Sequence, residues 1–338
     1  MNKFLQFGLY FLIAFFILQS FFIEYYIPSL LIASVFPSLF LVFLIKIDVF
    51  ETESFKDIIY VFLLGLVVSF FLCFPYVLIR DSLFDNYATN LFACFFAVAI
   101  PEEIIKIIPF LLILKYRKFV NEPIDFLIYS SASALGFAFY ENINYIISYS
   151  ETGNIVAIRS FLPSVMHMVV SSIFSFGIFM YLISKKVKYI FIGLILSALI
   201  HSVYNTLFIA PVVLLLILVF YSKMIQSLLN ISPYYDKTRE NTINKANDFL
   251  FFLIIVVLVL SFLFDLFLNG FNSILIDPKS YIYLLIVPFF IYKIFSSKLV
   301  LNKGQFIIFG KRSNSTGIKR EMQDIIIQYY KSKRWSSL

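Results

Sequence analysis

The chain has 338 residues, of which 61% are hydrophobic and 20% aromatic, with only 14% charged and a mean hydropathy of +0.92. A soluble domain does not have this composition; a polytopic all-α membrane protein does. The net charge of +7 then reads as lysine and arginine placed in loops, which excludes a nucleic-acid-binding surface as the first explanation.

Apolar windows of about 20 residues, the length that crosses a bilayer, fall in chain order at 4–23, 27–45, 58–79, 90–114, 124–148, 160–184, 188–208, 210–228, 248–269 and 280–297. The first is long enough to span, and no small-residue cleavage site follows it, so it is expected to be a retained helix. Cys73 and Cys94 lie in apolar runs and read as small buried hydrophobes. The stretch 188–228 divides at Pro211 into two short helices with a tight turn. With that division the expectation is a transmembrane helical bundle of about ten helices with both termini cytoplasmic. Outward loops then hold only Arg80, Arg159 and Lys279. Inward loops hold Lys46, Lys56, Lys115, Arg117, Lys118, Lys185, Lys186, Lys188, Lys223, Lys237, Arg239 and Lys245, and the tail after 297 is basic too. The implied organisation is N-terminal helices over 1–88, a polar-bearing core over 89–230, a polar loop with two further helices over 231–300, and a basic cytoplasmic tail over 301–338.

Few ionisable groups remain within the spans. Asp265 and Lys293 fall near helix ends and reach the interface. Asp125, after Pro123 in a first helical turn, is explained by the helix dipole, and Arg159 by interfacial anchoring. Glu102, Glu103, Lys106, Glu141, His167 and His201 lie deeper, and the two histidines are the only ones in the chain. A charge at the centre of a spanning helix costs roughly 2.5–3.5 kcal/mol by insertion scales, so such groups should face the interior and partner one another. At about 1.5 Å of rise per residue, Glu102 and Glu103 lie roughly 15–20 Å below the outer end of their helix. Glu141, His167 and His201 lie roughly 10 Å below the outer ends of the next three. Four consecutive helices thus place polar groups in one slab, nearer the outside.

Local spacing agrees. Lys106 is i+4 from Glu102 and i+3 from Glu103, so it can pair with either, while the adjacent glutamates point about 100° apart and should do different jobs. Phe137, Glu141 and Tyr145 share one helix face, and His201 and Asn205 share another. Asn142, Tyr145 and Asn205 are expected as helix-to-helix hydrogen bonds, and the small residues of "SSASALGFA" permit close helix approach. Two carboxylates, two histidines and an amide around a buried pocket suit activation of water: a glutamate takes the proton, and imidazole or carboxamide groups stabilise the oxyanion. Pairing with Lys106 holds one glutamate ionised within the membrane. Soluble-type Ser-His-Asp, H-E-x-x-H and Gly-rich phosphate signatures are missing.

Four ordered motifs, "PEEIIK", "PIDFLIYSSASALGFAFYENINYI", "RSFLPSVMHMVVSSIFSFG" and "ALIHSVYNTLF", resemble the PrsW family of intramembrane proteases, related to the CAAX-prenyl proteases and Abi-type proteins. The resemblance covers roughly residues 95–210, and the spacing from Phe137 to Glu141 favours PrsW over its CAAX relatives. It implies that Glu102 and Glu103 are the essential glutamate pair and His201 the essential histidine, with Glu141 and His167 at the other polar motif positions. It implies a bacterial cytoplasmic membrane location and membrane-anchored protein substrates such as anti-sigma factors, cut near the outer face. The cofactor is left open between none and a divalent metal such as zinc, for which Glu141, His167 and His201 are the candidate ligands. The chain departs from the family in carrying Ser130, Ser131, Ser133 and Ala134 where glycine is usual. Two other readings stay open: a non-enzymatic membrane scaffold or partner subunit of the same fold, and a proton-coupled transporter, against which the lack of a paired inverted repeat counts.

Overall fold

The computed structural model describes residues 26–83, 89–116, 120–149, 154–207 and 210–245, with scattered positions beyond. Among them the chain is helical: α1 (Tyr26–Ile47), α2 (Phe55–Leu83), α3 (Leu91–Cys94), a π turn (Phe95–Ala99), α4 (Ile100–Tyr116), α5 (Pro123–Tyr149), α6 (Asn154–Ser184), α7 (Lys188–Thr206) and α8 (Ala210–Asn230). The division of 188–228 into two helices is therefore found. The first span and the last two expected spans lie outside the described residues.

Among the described residues, three helical stretches are long and apolar enough to cross a membrane: Phe55–Cys73, Ser160–Ser184 and Lys188–Thr206. α4 is shorter, at 17 residues with four charged groups, and α5 carries Asp125, Glu141 and a run of serines on the polar interior of the bundle. Serine and glycine let these helices approach closely. A Cβ on Gly136 of α5 would lie 2.2 Å from the carbonyl oxygen of Phe62, and one on Gly65 of α2 would lie 2.4 Å from that of Ser133. Backbone thus packs on backbone, a contact only glycine permits. Serines of α5 bond across to other helices: Ser130 donates to Ser175 at 2.8 Å, and Ser131 pairs with Ser172 at 2.8 Å and Tyr221 at 3.3 Å. They fix α5 against α6 and α8, each of these two buried hydroxyls having a partner on another helix.

The expected single helix over 90–114 is broken by the π turn. Pro101 has no N–H, so the carbonyl of Ala97 four residues earlier loses its helical donor. The Tyr76 hydroxyl of α2 donates to that carbonyl instead. Asn90 caps the start, its side chain accepting from the backbone N–H groups of Phe92 and Ala93 at 2.9 and 3.1 Å. The bulge ends where the glutamate pair begins, as such bulges often do beside functional groups.

Candidate active site

The charged residues of α4 meet those of α5, α6 and α7. Lys106 Nζ lies 2.7 Å from Glu103 Oε1 and 3.8 Å from Glu102 Oε2, so it serves both carboxylates but engages Glu103 closely. The same ammonium lies 2.7 Å from His167 Nδ1 and 4.5 Å from the Phe137 ring centroid. His201 Nδ1 lies 2.9 Å from Glu103 Oε1, and its Nε2 lies 3.6 Å from Glu102 Oε2. His167 Nε2 lies 2.8 Å from Glu141 Oε2. The Glu103 and Lys106 side chains are wholly buried, whereas Glu102 keeps 14% of its side chain exposed and Glu141 27%. The slab inferred from helix depths is thus a contiguous cluster, and the two adjacent glutamates have different surroundings.

The network fixes the imidazole tautomers. An ammonium can only donate, so His167 Nδ1 accepts from Lys106 and its Nε2–H donates to Glu141. An ionised carboxylate can only accept, so His201 Nδ1–H donates to Glu103, and the 3.5 Å approach of Lys106 to that nitrogen is a contact without a shared proton. His201 Nε2 is left as a lone pair facing Glu102. Ser171, one helical turn after His167, donates to Glu103 Oε2 at 3.0 Å, and Ser133 donates to the Lys106 carbonyl at 2.6 Å. Sequence reasoning missed both serines. Their signal was spacing alone, Ser171 lying at i+4 from His167 on the polar face of α6.

The supporting residues divide. Asn142 is buried, with neither amide atom hydrogen-bonded. Tyr145 is half-buried. Asn205 is exposed and reaches Cys94 rather than the cluster, because α7 turns it outward one turn past His201. Arg159 belongs to α6, and its side chain lies outside the described residues.

One ligand atom from each of Glu103, His167 and His201 lies within 4.8 Å of the others, a donor set suited to zinc. Glu141 does not belong to that trio; it stands behind His167 on the far ring nitrogen. Lys106 Nζ, however, sits at the focus of the trio, within 2.7 Å of Glu103 Oε1 and of His167 Nδ1. A zinc ion could not take that place unless the ammonium left it, so the residues as arranged do not fit a metal.

A Glu-Glu-Lys-His-His cluster at a helix bulge, packed among apolar helices, holds the groups that water-activating hydrolysis uses. Comparison with known proteins identifies the group. Residues 53–227 match the model of the PrsW family intramembrane metalloprotease, and the chain belongs to that family. It is 30% identical over 188 residues to Protease PrsW of Geobacillus kaustophilus, covering 54% of this chain and 80% of that protein. It is 30% identical over 187 residues to Protease PrsW of Oceanobacillus iheyensis, covering 52% and 81%. No solved structure matches. The chain is an intramembrane protease.

Proposed function

We propose that Glu102 is the general base of this protease and that Glu103 is the anchor that orients it. The observation that carries this assignment is the contrast between the two side chains. Glu103 accepts from Lys106, His201 and Ser171 and is fully buried, which leaves it no room to receive a water proton. Glu102 has an open edge and faces His201 Nε2 across 3.6 Å.

A water between Glu102 and His201 donates one hydrogen to each. Glu102 takes a proton as the water oxygen attacks the scissile carbonyl carbon, and the developing oxyanion forms in the field of the Lys106 ammonium. The tetrahedral species collapses as the C–N bond breaks, and Glu102 returns its proton to the departing amine nitrogen. Water and peptide become carboxylic acid and amine. Glu141 holds His167, which accepts from Lys106, so the ammonium is fixed between the glutamates. No step requires a metal.

The substrates we infer are membrane-anchored proteins, anti-sigma factors being one class, cut near the outer face of a bacterial cytoplasmic membrane. The basic loops between helices support that orientation. The test is a profile of new N-termini across all membrane proteins in cells carrying the native chain, Glu102→Gln or His201→Ala at matched levels. Fragments made only by the native chain support the proposal. Identical profiles with all three chains would leave a partner-subunit role as the better account.

A further inference from the structure

A second group of carboxylates lies away from the reaction centre and has no part in it. Asp48 follows α1, Glu122 precedes α5, and Asp125 is in the first turn of α5; all three are buried, at 1%, 0% and 0% relative exposure. One oxygen from each lies within 4.8 Å of the others. Asp125 is 16 residues from Glu141 on the same helix, about 24 Å at 1.5 Å per residue, so this cluster sits at the opposite end of the bundle from the protease site.

Half of each carboxylate is accounted for. Asp125 Oδ2 accepts from the backbone N–H groups of Asn121 and Glu122 at 2.6 and 2.7 Å. Asp48 Oδ2 accepts from the Glu53 N–H at 2.8 Å, and Glu122 Oε2 accepts from the Ser232 hydroxyl. The other oxygens, Asp48 Oδ1, Glu122 Oε1 and Asp125 Oδ1, are buried without a hydrogen-bond partner, as are Glu51 Oε2 and Asn121 Oδ1 beside them. No lysine or arginine among the described residues forms an ion pair with the three acids. The helix dipole expected to explain Asp125 accounts for one of its oxygens and leaves the other bare.

Unpaired buried carboxylate oxygens at such spacing are costly unless a cation or a shared proton joins them, and the bare Glu51 and Asn121 oxygens beside them favour the cation. The donor set is all oxygen, with an amide oxygen alongside the acids, which selects a hard divalent ion over zinc. We propose that Asp48, Glu122 and Asp125, assisted by Glu51 and Asn121, bind a divalent cation of the magnesium, calcium or manganese class. The cation joins the ends of α1 and α5 to the segment after α8, which supplies Ser232. Arg239 of that segment also donates to the carbonyls of Val49 and Phe50 at 3.0 and 3.1 Å. The site is a clasp on the helix ends and is independent of the chemistry proposed above.

The test uses the full chain in detergent, stripped of metal and then titrated with Mg2+, Ca2+ or Mn2+ while thermal unfolding is followed. Tyrosine-sensitised Tb3+ emission gives a second readout. At least one ion should raise the melting temperature of the native chain and of His201→Ala alike, and should compete with Tb3+. Its half-saturating concentration should rise at least about tenfold in Glu122→Gln and in Asp48→Asn. The second variant keeps the test open if the first does not fold. No shift with any of the three ions overturns the proposal. So does the same shift in native and variant chains. A Glu122→Gln chain that is stabilised without metal, while metals do nothing for the native one, also overturns it and assigns a proton shared between carboxyls.

Discussion

Replacing Lys106 with methionine keeps the length of the side chain and removes its charge. Glu103 then stands wholly buried with no cation, since Lys106 is the ammonium at 2.7 Å and its other partners are a neutral imidazole and a hydroxyl. Breaking a buried pair from one side costs about 3–5 kcal/mol, because the surviving charge is uncompensated. Removing both charges should cost less than the two single changes together. Glu103→Gln combined with Lys106→Met is expected to recover about 2 kcal/mol relative to additivity, within the range for residues in contact. Unfolding in mixed micelles of rising SDS fraction measures all four chains of this cycle. If the double variant is strictly additive, or if Lys106→Met alone costs less than about 1 kcal/mol, the value of an exposed pair, Lys106 does not hold the charge balance of the site.

Three further outcomes follow from the geometry. Ser171→Ala removes a hydroxyl donor to a charged carboxylate and should cost about 1.5–3 kcal/mol in the same micelle assay. Ser202→Ala, whose hydroxyl bonds the Ala198 carbonyl of its own helix at 2.7 Å and the neutral Cys94 thiol, with no charged partner, should cost clearly less. Gly136→Ala places a methyl against the Phe62 carbonyl, at 2.2 Å, and is expected to lose about 1–3 kcal/mol or more; a variant as stable as the native chain would refute that close approach. Peptide cleavage should persist in 1,10-phenanthroline with Mg2+ in excess, because Lys106 occupies the focus a zinc ion would need. Loss that added zinc restores would contradict it.

Much of this site was legible in the sequence because a bilayer leaves few places for charge. Glu102, Glu103, Glu141, His167 and His201 stood out against apolar helices, and counting residues from helix ends put them at one depth. The split near Pro211 and the close approach at "SSASALGFA" were readable for similar reasons, since proline and small residues act locally. The π turn was not readable, because it depends on a remote donor: Tyr76 of α2 satisfies the carbonyl that Pro101 leaves open. The position of Lys106 among three ligand atoms was equally hidden, as spacing along α4 gives its carboxylate partners and nothing about His167. Asp48 meets Glu122 and Asp125 only in the fold, so the sequence singled out Asp125 alone, as a helix-start acid.

The central claim is that Glu102 moves the proton. The direct measurement is the cleavage rate of a membrane-anchored substrate found by N-terminal profiling, co-reconstituted in liposomes with the native chain, Glu102→Gln or Glu102→Asp. Loss of a general base costs about 10²–10⁴-fold, so the glutamine variant should fall by that factor while remaining folded and binding substrate, with the aspartate variant retaining part of the rate. A glutamine variant that cleaves within a few-fold of the native rate would contradict the account and move the proton transfer to another group of the cluster.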